Sequence, residues 1–246
     1  MESVLATLAI VVITASVSKG GVVKRESEIE DNGFNVCGVH IYLACMVPNV
    51  QQYQNDLATQ DARIALLGNR QRLGEFAEAL QTAASCIETQ QAASVCAGAS
   101  EEETGVAEIQ FVAGYLSSPA RVDIVHGTAG SPCLTNFSKV DQLGEESLQC
   151  LQNATEAAVE SDEVCAGIQM LRECSVDAGT SVCGLSVGVF FHSLWEYSSQ
   201  PNVDASVLFS IIPDENMASV VQSCNQLIPE GHSYTKRAMS FFGKFF

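Results

Sequence analysis

Basic residues are scarce in this chain: 12 Lys and Arg stand against 29 Asp and Glu, a formal charge of −17 over 246 residues. Such a surface repels nucleic-acid phosphates and anionic membranes at long range, so no nucleic-acid partner is expected. No Cys-x-x-Cys pair occurs, and the four histidines, His40, His126, His192 and His232, lack ligand spacing. Neither a metal centre nor a cofactor site is therefore expected. The loop signature of a strong calcium site is missing too. The acidic cluster Glu156, Glu160, Asp162 and Glu163 reads as a solvated face, since like charges four apart on a helix repel. Stretches alternating polar and apolar are few, which argues against a sheet protein. Past the first two dozen residues no run of 18 apolar residues is found, and no transmembrane segment is expected.

Ten cysteines are present, behind an apolar run from Val4 to Val17. That run is too short for a span, and Ser16 and Ser18 are small residues at the spacing a signal peptidase accepts. Residues 1–18 read as a signal peptide cut after Ser18, and residues 19–33 as an acidic leader. Lys24-Arg25 is a dibasic pair at which a propeptide ending at Arg25 could be released. Loss of Glu2, Lys19, Lys24 and Arg25 takes the charge from −17 to −19. The expected location is secreted and extracellular, where disulfides persist. A mature chain of about 220 residues can bury a true core, so the cross-links reinforce rather than replace it.

Helical periodicity dominates from Pro48. Val50, Tyr53, Leu57 and Ile64 recur at helical spacing until Gly68-Asn69. Leu73, Phe76, Leu80, Ala83 and Ile87 then mark a second amphipathic helix leading past Cys86. After a loop at 98–105, Val106, Ile109, Val112 and Leu116 make a short helix stopped by Ser117-Ser118-Pro119. Val122, Ile124 and Val125 read as the one strand candidate, and 127–132 as a loop. Leu148, Leu151, Ala154 and Ala158 lie along one helical face. Ser161, Asp162 and Glu163 can open the next helix, with a break at Gly179 and a new cap at Thr180. Phe190, Phe191, Leu194 and Trp195 follow on one helix, and Asp204 and Asp214 can cap two later segments. The expected class is mainly α, a disulfide-linked array of amphipathic helices over 34–231. Ala93-Ser94-Val95-Cys96-Ala97-Gly98 and Thr180-Ser181-Val182-Cys183-Gly184 are alike, as for two related halves divided near 134–145.

An even count in a secreted chain implies five disulfides among Cys37, Cys45, Cys86, Cys96, Cys133, Cys150, Cys165, Cys174, Cys183 and Cys224. Their pairing is not readable, with one restriction. Nine residues of helix turn through about 900°, so Cys165 and Cys174 lie on opposite faces and tie the helix to different neighbours. Cys183, beyond the Gly179 break, is expected to bond back to an adjacent helix. Two acceptor sequons, Asn136-Phe137-Ser138 and Asn153-Ala154-Thr155, are candidate glycosylation sites, the first in a loop and the second on a helix.

Gly184-Leu185-Ser186-Val187-Gly188 matches the Gly-x-Ser-x-Gly of serine hydrolases, with Asp204 or Asp214 and then His232 in the right order. The context is wrong: the motif should follow a strand, and here it follows Cys183 in a helical region, where small residues serve close packing. No catalytic residue is assigned. The tail 232–246 is basic and aromatic, carrying Lys236-Arg237 and Phe241, Phe242, Phe245 and Phe246. It either docks on the protein's own apolar surface or a subunit partner, touches a membrane or is cut after Arg237.

The spacing of Cys86-Ile87-Glu88-Thr89, Cys133-Leu134, Cys150-Leu151 and the Cys165, Cys174, Cys183 triplet resembles the 27-kilodalton haemolymph glycoprotein family of secreted, helical invertebrate proteins. The resemblance implies an extracellular helical protein with a carrier, humoral or signalling role. It supplies no catalytic residues and no pairing. The expected function is thus a secreted, non-enzymatic binding protein whose partner is a small apolar ligand or an extracellular protein. Any ligand gap is expected near Phe190, Phe191, Leu194 and Trp195. The alternatives are a secreted precursor or venom component cut at dibasic sites, and a serine hydrolase using Ser186.

Overall fold

The computed structural model describes residues 36–91, 106–161 and 164–200, together with Val203 and Cys224. Among these residues there is no strand, and the mainly-α expectation holds. Helical structure begins upstream of Pro48, with α1 (Val36–Ile41), a π-helical turn (Tyr42–Met46), α2 (Val47–Val50), a 3-10 turn (Gln51–Tyr53) and α3 (Gln54–Ala58). Pro48 accounts for the wide turn before it. A proline ring crowds the carbonyl four residues back and offers no N–H, so the helix opens and Val47 N–H bonds Tyr42 O instead. Cys37, Ile41 and Cys45 form a buried stripe at spacing four along this first stretch.

The expected continuous helix from Val50 to Ile64 is interrupted at Thr59. Its backbone is extended, and its hydroxyl accepts the Ala62 N–H at 3.2 Å as the N-cap of α4 (Gln60–Gly68). Asn69 makes the break read from the sequence, accepting the Arg72 N–H at 3.0 Å to start α5 (Arg70–Gln91). On α5 the predicted stripe is the core: Leu73, Phe76, Ala83 and Ile87 are fully buried, and Leu80 nearly so. Tyr53 meets Phe76 edge-on at 5.1 Å.

Next come α6 (Val106–Tyr115) and α7 (Pro119–Gly127). The strand expected at Val122, Ile124 and Val125 is therefore helix. Pro119 sits in its first turn, and Val122 and Val125, three apart, both reach the core, so burial on a helical face overrides β propensity. The expected loop before Cys133 is a 3-10 turn (Thr128–Gly130) followed by α8 (Pro132–Thr135).

Three longer helices complete the described chain: α9 (Phe137–Ser161), α10 (Val164–Cys183) and α11 (Leu185–Ser198). The first two run antiparallel, since Cys150 pairs with Cys174 and Glu146 accepts from Ser181. Their seam uses Val140, Leu143, Cys150 and Ala154 on α9. Leu148, expected on the buried face, is 56% exposed, because the seam follows the 140–143–150–154 phase and Leu148 lies outside it.

The break expected at Gly179 is not there. The helix runs on to Cys183, and Thr180 Oγ1 donates to Val176 O at 2.8 Å inside it rather than capping a new one. The true break is Gly184, whose φ of 95° lies in the left-handed region that favours glycine. Gly179 and Gly188 are spent on closeness instead. A Cβ at Gly179 would meet the Phe191 ring at 2.5 Å, and one at Gly188 would meet Thr180 Oγ1 at 1.9 Å. α11 packs against α10 on one side and α7 on the other, so a single buried cluster runs from Cys37 to Val203.

Candidate functional site

Disulfides tie this array at four described places. Cys45–Cys86 joins the π-helical turn to α5, Cys133–Cys183 joins α8 to the end of α10, Cys150–Cys174 crosses the α9–α10 seam, and Cys165–Cys224 ties the start of α10 to the chain beyond α11. Cα separations run from 5.0 to 5.6 Å, as the bond requires. Cys37 is also disulfide-bonded. Cys96 lies outside the described residues, as do Ser18, Arg25 and Arg237. Cys165 and Cys174 take different partners, as their opposite faces demand. Cys183 reaches an adjacent helix, but as the last residue of α10 rather than from beyond a break at Gly179. Beside it, the buried Ser131 hydroxyl donates to Cys183 O at 2.9 Å and accepts the Cys133 N–H at 3.2 Å, satisfying a helix-end carbonyl and a helix-start amide together.

Ser186 stands in the first turn of α11, half-buried, after a helix and a left-handed glycine. His192, the one histidine of that helix, is six residues on, about 120° around the axis from Ser186. Burial holds the His192 imidazole below its ordinary value; Glu196, 3.7 Å away, opposes this and Arg172 adds to it. Asp204, Asp214 and His232 lie outside the described residues. Among the described residues no three His, Cys, Asp or Glu side chains converge as a metal site. Glu156 is exposed on α9.

The apolar gap expected near Phe190, Phe191, Leu194 and Trp195 is filled. The first three are buried, and Trp195 Nε1 donates to Ser175 Oγ at 2.9 Å across α10 and α11. Phe190 joins Tyr115, Tyr197 and Phe111 in edge-on contacts that lock α11 to α6. Tyr115 donates to Ser193 Oγ at 3.0 Å, and burial pushes its hydroxyl up to about 12. The Arg121 guanidinium covers the Tyr197 ring at 4.4 Å and donates to the carbonyls of Gly114 and Tyr115, the exposed end of α6.

Concavity is found elsewhere. A wide groove of about 420 Å³ runs between the Pro48–Tyr53 segment and α5, lined by Asn49, Gln52, Arg72, Glu75, Glu78 and Thr82 over a floor of Pro48, Tyr53 and Ala79. Arg72 is held in its wall. It lies 4.2 Å over the Tyr53 ring and donates twice to Asp56 Oδ2, at 2.8 and 3.1 Å, and once to Glu75 Oε2 at 3.4 Å. Burial raises the Tyr53 hydroxyl above its ordinary value; Arg72 pulls the other way, and Glu75, Asp56 and Glu78 add to the rise. Asn49 Nδ2 is engaged with Cys45 O at 2.7 Å, and Gln52 Nε2 reaches Asn49 O at 3.4 Å. The groove therefore offers oxygen acceptors around one neutralised cation, which suits polar contact rather than an apolar guest.

The sequence reading missed Arg72. Its signal was indirect: two of only 12 cations, Arg70 and Arg72, stand together at the start of α5 in a strongly acidic chain. Arg70 pairs with Asp123 of α7, so both serve to hold α5 in place.

Comparison with protein-family models, with curated proteins and with solved structures returns no match.

Proposed function

We propose that this chain is a secreted, non-enzymatic binding protein of extracellular fluid, in a humoral or carrier role, and that it meets its partner through the polar groove between the Pro48–Tyr53 segment and α5. The groove carries this reading: it is the described concavity whose lining is held rigid by a helix-to-helix ion pair, a cation–ring contact and the nearby Cys45–Cys86 bond. Rigid polar edges favour recognition, because little side-chain freedom remains to be lost on contact. Disulfides in every described part of the array support an oxidising compartment, and so does the apolar leader. No described helix is long and apolar enough to cross a membrane. The placement of Ser186 in the first turn of α11, after a helix rather than a strand, supports the non-enzymatic reading, as does the distance around the axis to His192. The cysteine spacing, which resembles that of the haemolymph family, agrees with it.

The test is expression of the full chain in a secretory eukaryotic cell. The expected product appears in the medium without alkylatable thiols and takes no fluorophosphonate label. Native mass spectrometry of the secreted protein should show a non-covalently held partner that Thr82→Trp, which fills the groove, displaces. A chain retained in the cytosol with free thiols, or a label removed by Ser186→Ala, would overturn the proposal.

A further inference from the structure

We infer that Asn136 and Asn153 both carry N-linked glycans, so that α9 presents a sugar-covered outer side. This rests on the secreted reading above and adds a covalent modification to it.

Both sequons are intact, and both asparagines are exposed. The decisive geometry is which amide atom each asparagine uses. Asn136 Oδ1 accepts the Ser138 N–H at 3.1 Å, capping the start of α9. Asn153 Oδ1 accepts from Gln149 Nε2 at 2.9 Å along the helix. In both, the oxygen is engaged, and no hydrogen bond among the described residues uses Nδ2. Transfer forms a bond between Nδ2 and the anomeric carbon of a lipid-pyrophosphate-linked oligosaccharide. The bond from that carbon to the pyrophosphate oxygen breaks, the lipid pyrophosphate leaves, and one amide proton goes to base; nothing is oxidised or reduced. The product is still an amide with its carbonyl oxygen free to accept, so both contacts survive modification. The fold accommodates the glycan at the one atom it does not use.

Timing agrees. The bonds that pin the surroundings, Cys133–Cys183 and Cys150–Cys174, need partners 50 and 24 residues further along the chain. During synthesis from the N-terminus each sequon emerges before its neighbouring cysteine can pair, so it meets the transferase as extended chain. Seventeen residues of helix separate the two sites by about 25 Å, enough for two glycans without mutual crowding.

The experiment uses the full chain secreted from a eukaryotic line, treated with peptide N-glycosidase in ¹⁸O water. Two losses of glycan mass are expected, with ¹⁸O-labelled aspartate at both 136 and 153. Ser138→Ala removes the first loss and Thr155→Ala the second. Ser138 lends only its backbone N–H to the Asn136 cap, so Ser138→Ala should leave the thermal midpoint where it was, separating loss of sugar from loss of fold. A secreted protein whose mass does not change, or in which only one asparagine is labelled, overturns the inference while leaving secretion standing. A chain confined to the cytosol is told apart by its location and overturns both.

Discussion

The N-terminal part of the molecule, Cys37 to Gly127, and the C-terminal part, Pro132 to Ser198, hold helices together with different material. In the first, short helices and turns wrap α5, and large side chains do the joining: Phe76, Leu67, Leu73 and Ile87 are all but fully buried. In the second, two long helices meet along an extended seam, where small residues and sulfur, Cys150, Ala154, Ala178, Val182 and Cys183, stand beside Val140 and Leu143. Cys133–Cys183 and Cys150–Cys174 fall within this part, and Cys165–Cys224 ties its α10 to the chain beyond. The Cys150–Cys174 bond reinforces that seam by restricting the unfolded chain. The N-terminal part is cross-linked as well, through Cys45–Cys86 and the bonded Cys37.

That contrast can be broken from either side. The largest effect is expected from Phe76→Ala, which empties the centre of the N-terminal core and should cost about 3–5 kcal/mol in urea unfolding. Replacing Cys150 and Cys174 by Ser opens a loop of 24 residues, and the chain-entropy relation puts that loss at about 3 kcal/mol. If the double replacement cost nothing, the seam would be holding by packing alone. Gly188→Ala should cost roughly 1–3 kcal/mol by forcing α10 and α11 apart, because its Cβ falls on Thr180 and near the Val176 carbonyl.

A smaller effect is expected where the two parts meet. Tyr115→Phe leaves the buried Ser193 hydroxyl without its donor and should cost about 1–2 kcal/mol. The wild-type tyrosine also sets a pH limit. Its folded value of about 12 lies above the ordinary 10.0, so its contribution is whole below pH 10 and drains away as pH rises through 12. Ultraviolet titration of the native protein should show a phenolate step near pH 12, and Tyr115→Phe should remove that step. The smallest effects carry the opposite sign. Gly74→Ala on α5 and Gly144→Ala on α9 meet nothing within 4 Å, so each should stabilise its helix by about 0.5–1 kcal/mol in thermal unfolding. A loss at either position would mean a neighbour closer than the structure places it.

Legibility followed the same division. The stripe Leu73, Phe76, Leu80, Ala83 and Ile87 could be read directly, because one strongly periodic face needs no partner to be recognised. Asn69 was legible as a stop for the same local reason. Gly179 misled, since a glycine inside a helix and one that ends it look alike until the partner that presses on it, here Phe191, is in place. Leu148 misled because two overlapping helical phases were open on α9, and only the position of α10 chose between them. Val122 and Val125 misled because their β-branching speaks for a strand while a neighbouring core rewards a helix. The groove was least legible of all. Its lining comes from two segments some twenty residues apart, and Arg72 acquires its place from Tyr53 and Asp56 rather than from any motif.

Composition and periodicity were enough to establish a helical, cross-linked, acidic chain and to forbid a bond between Cys165 and Cys174, because those properties depend on residue type and helical pitch alone. Which cysteines pair, where α10 ends, that the Phe190 cluster is solid and that a polar groove lies beside Arg72 all turned on contacts between residues far apart in the chain. Such contacts are set by the simultaneous packing of every helix, and no local stretch of sequence carries that information.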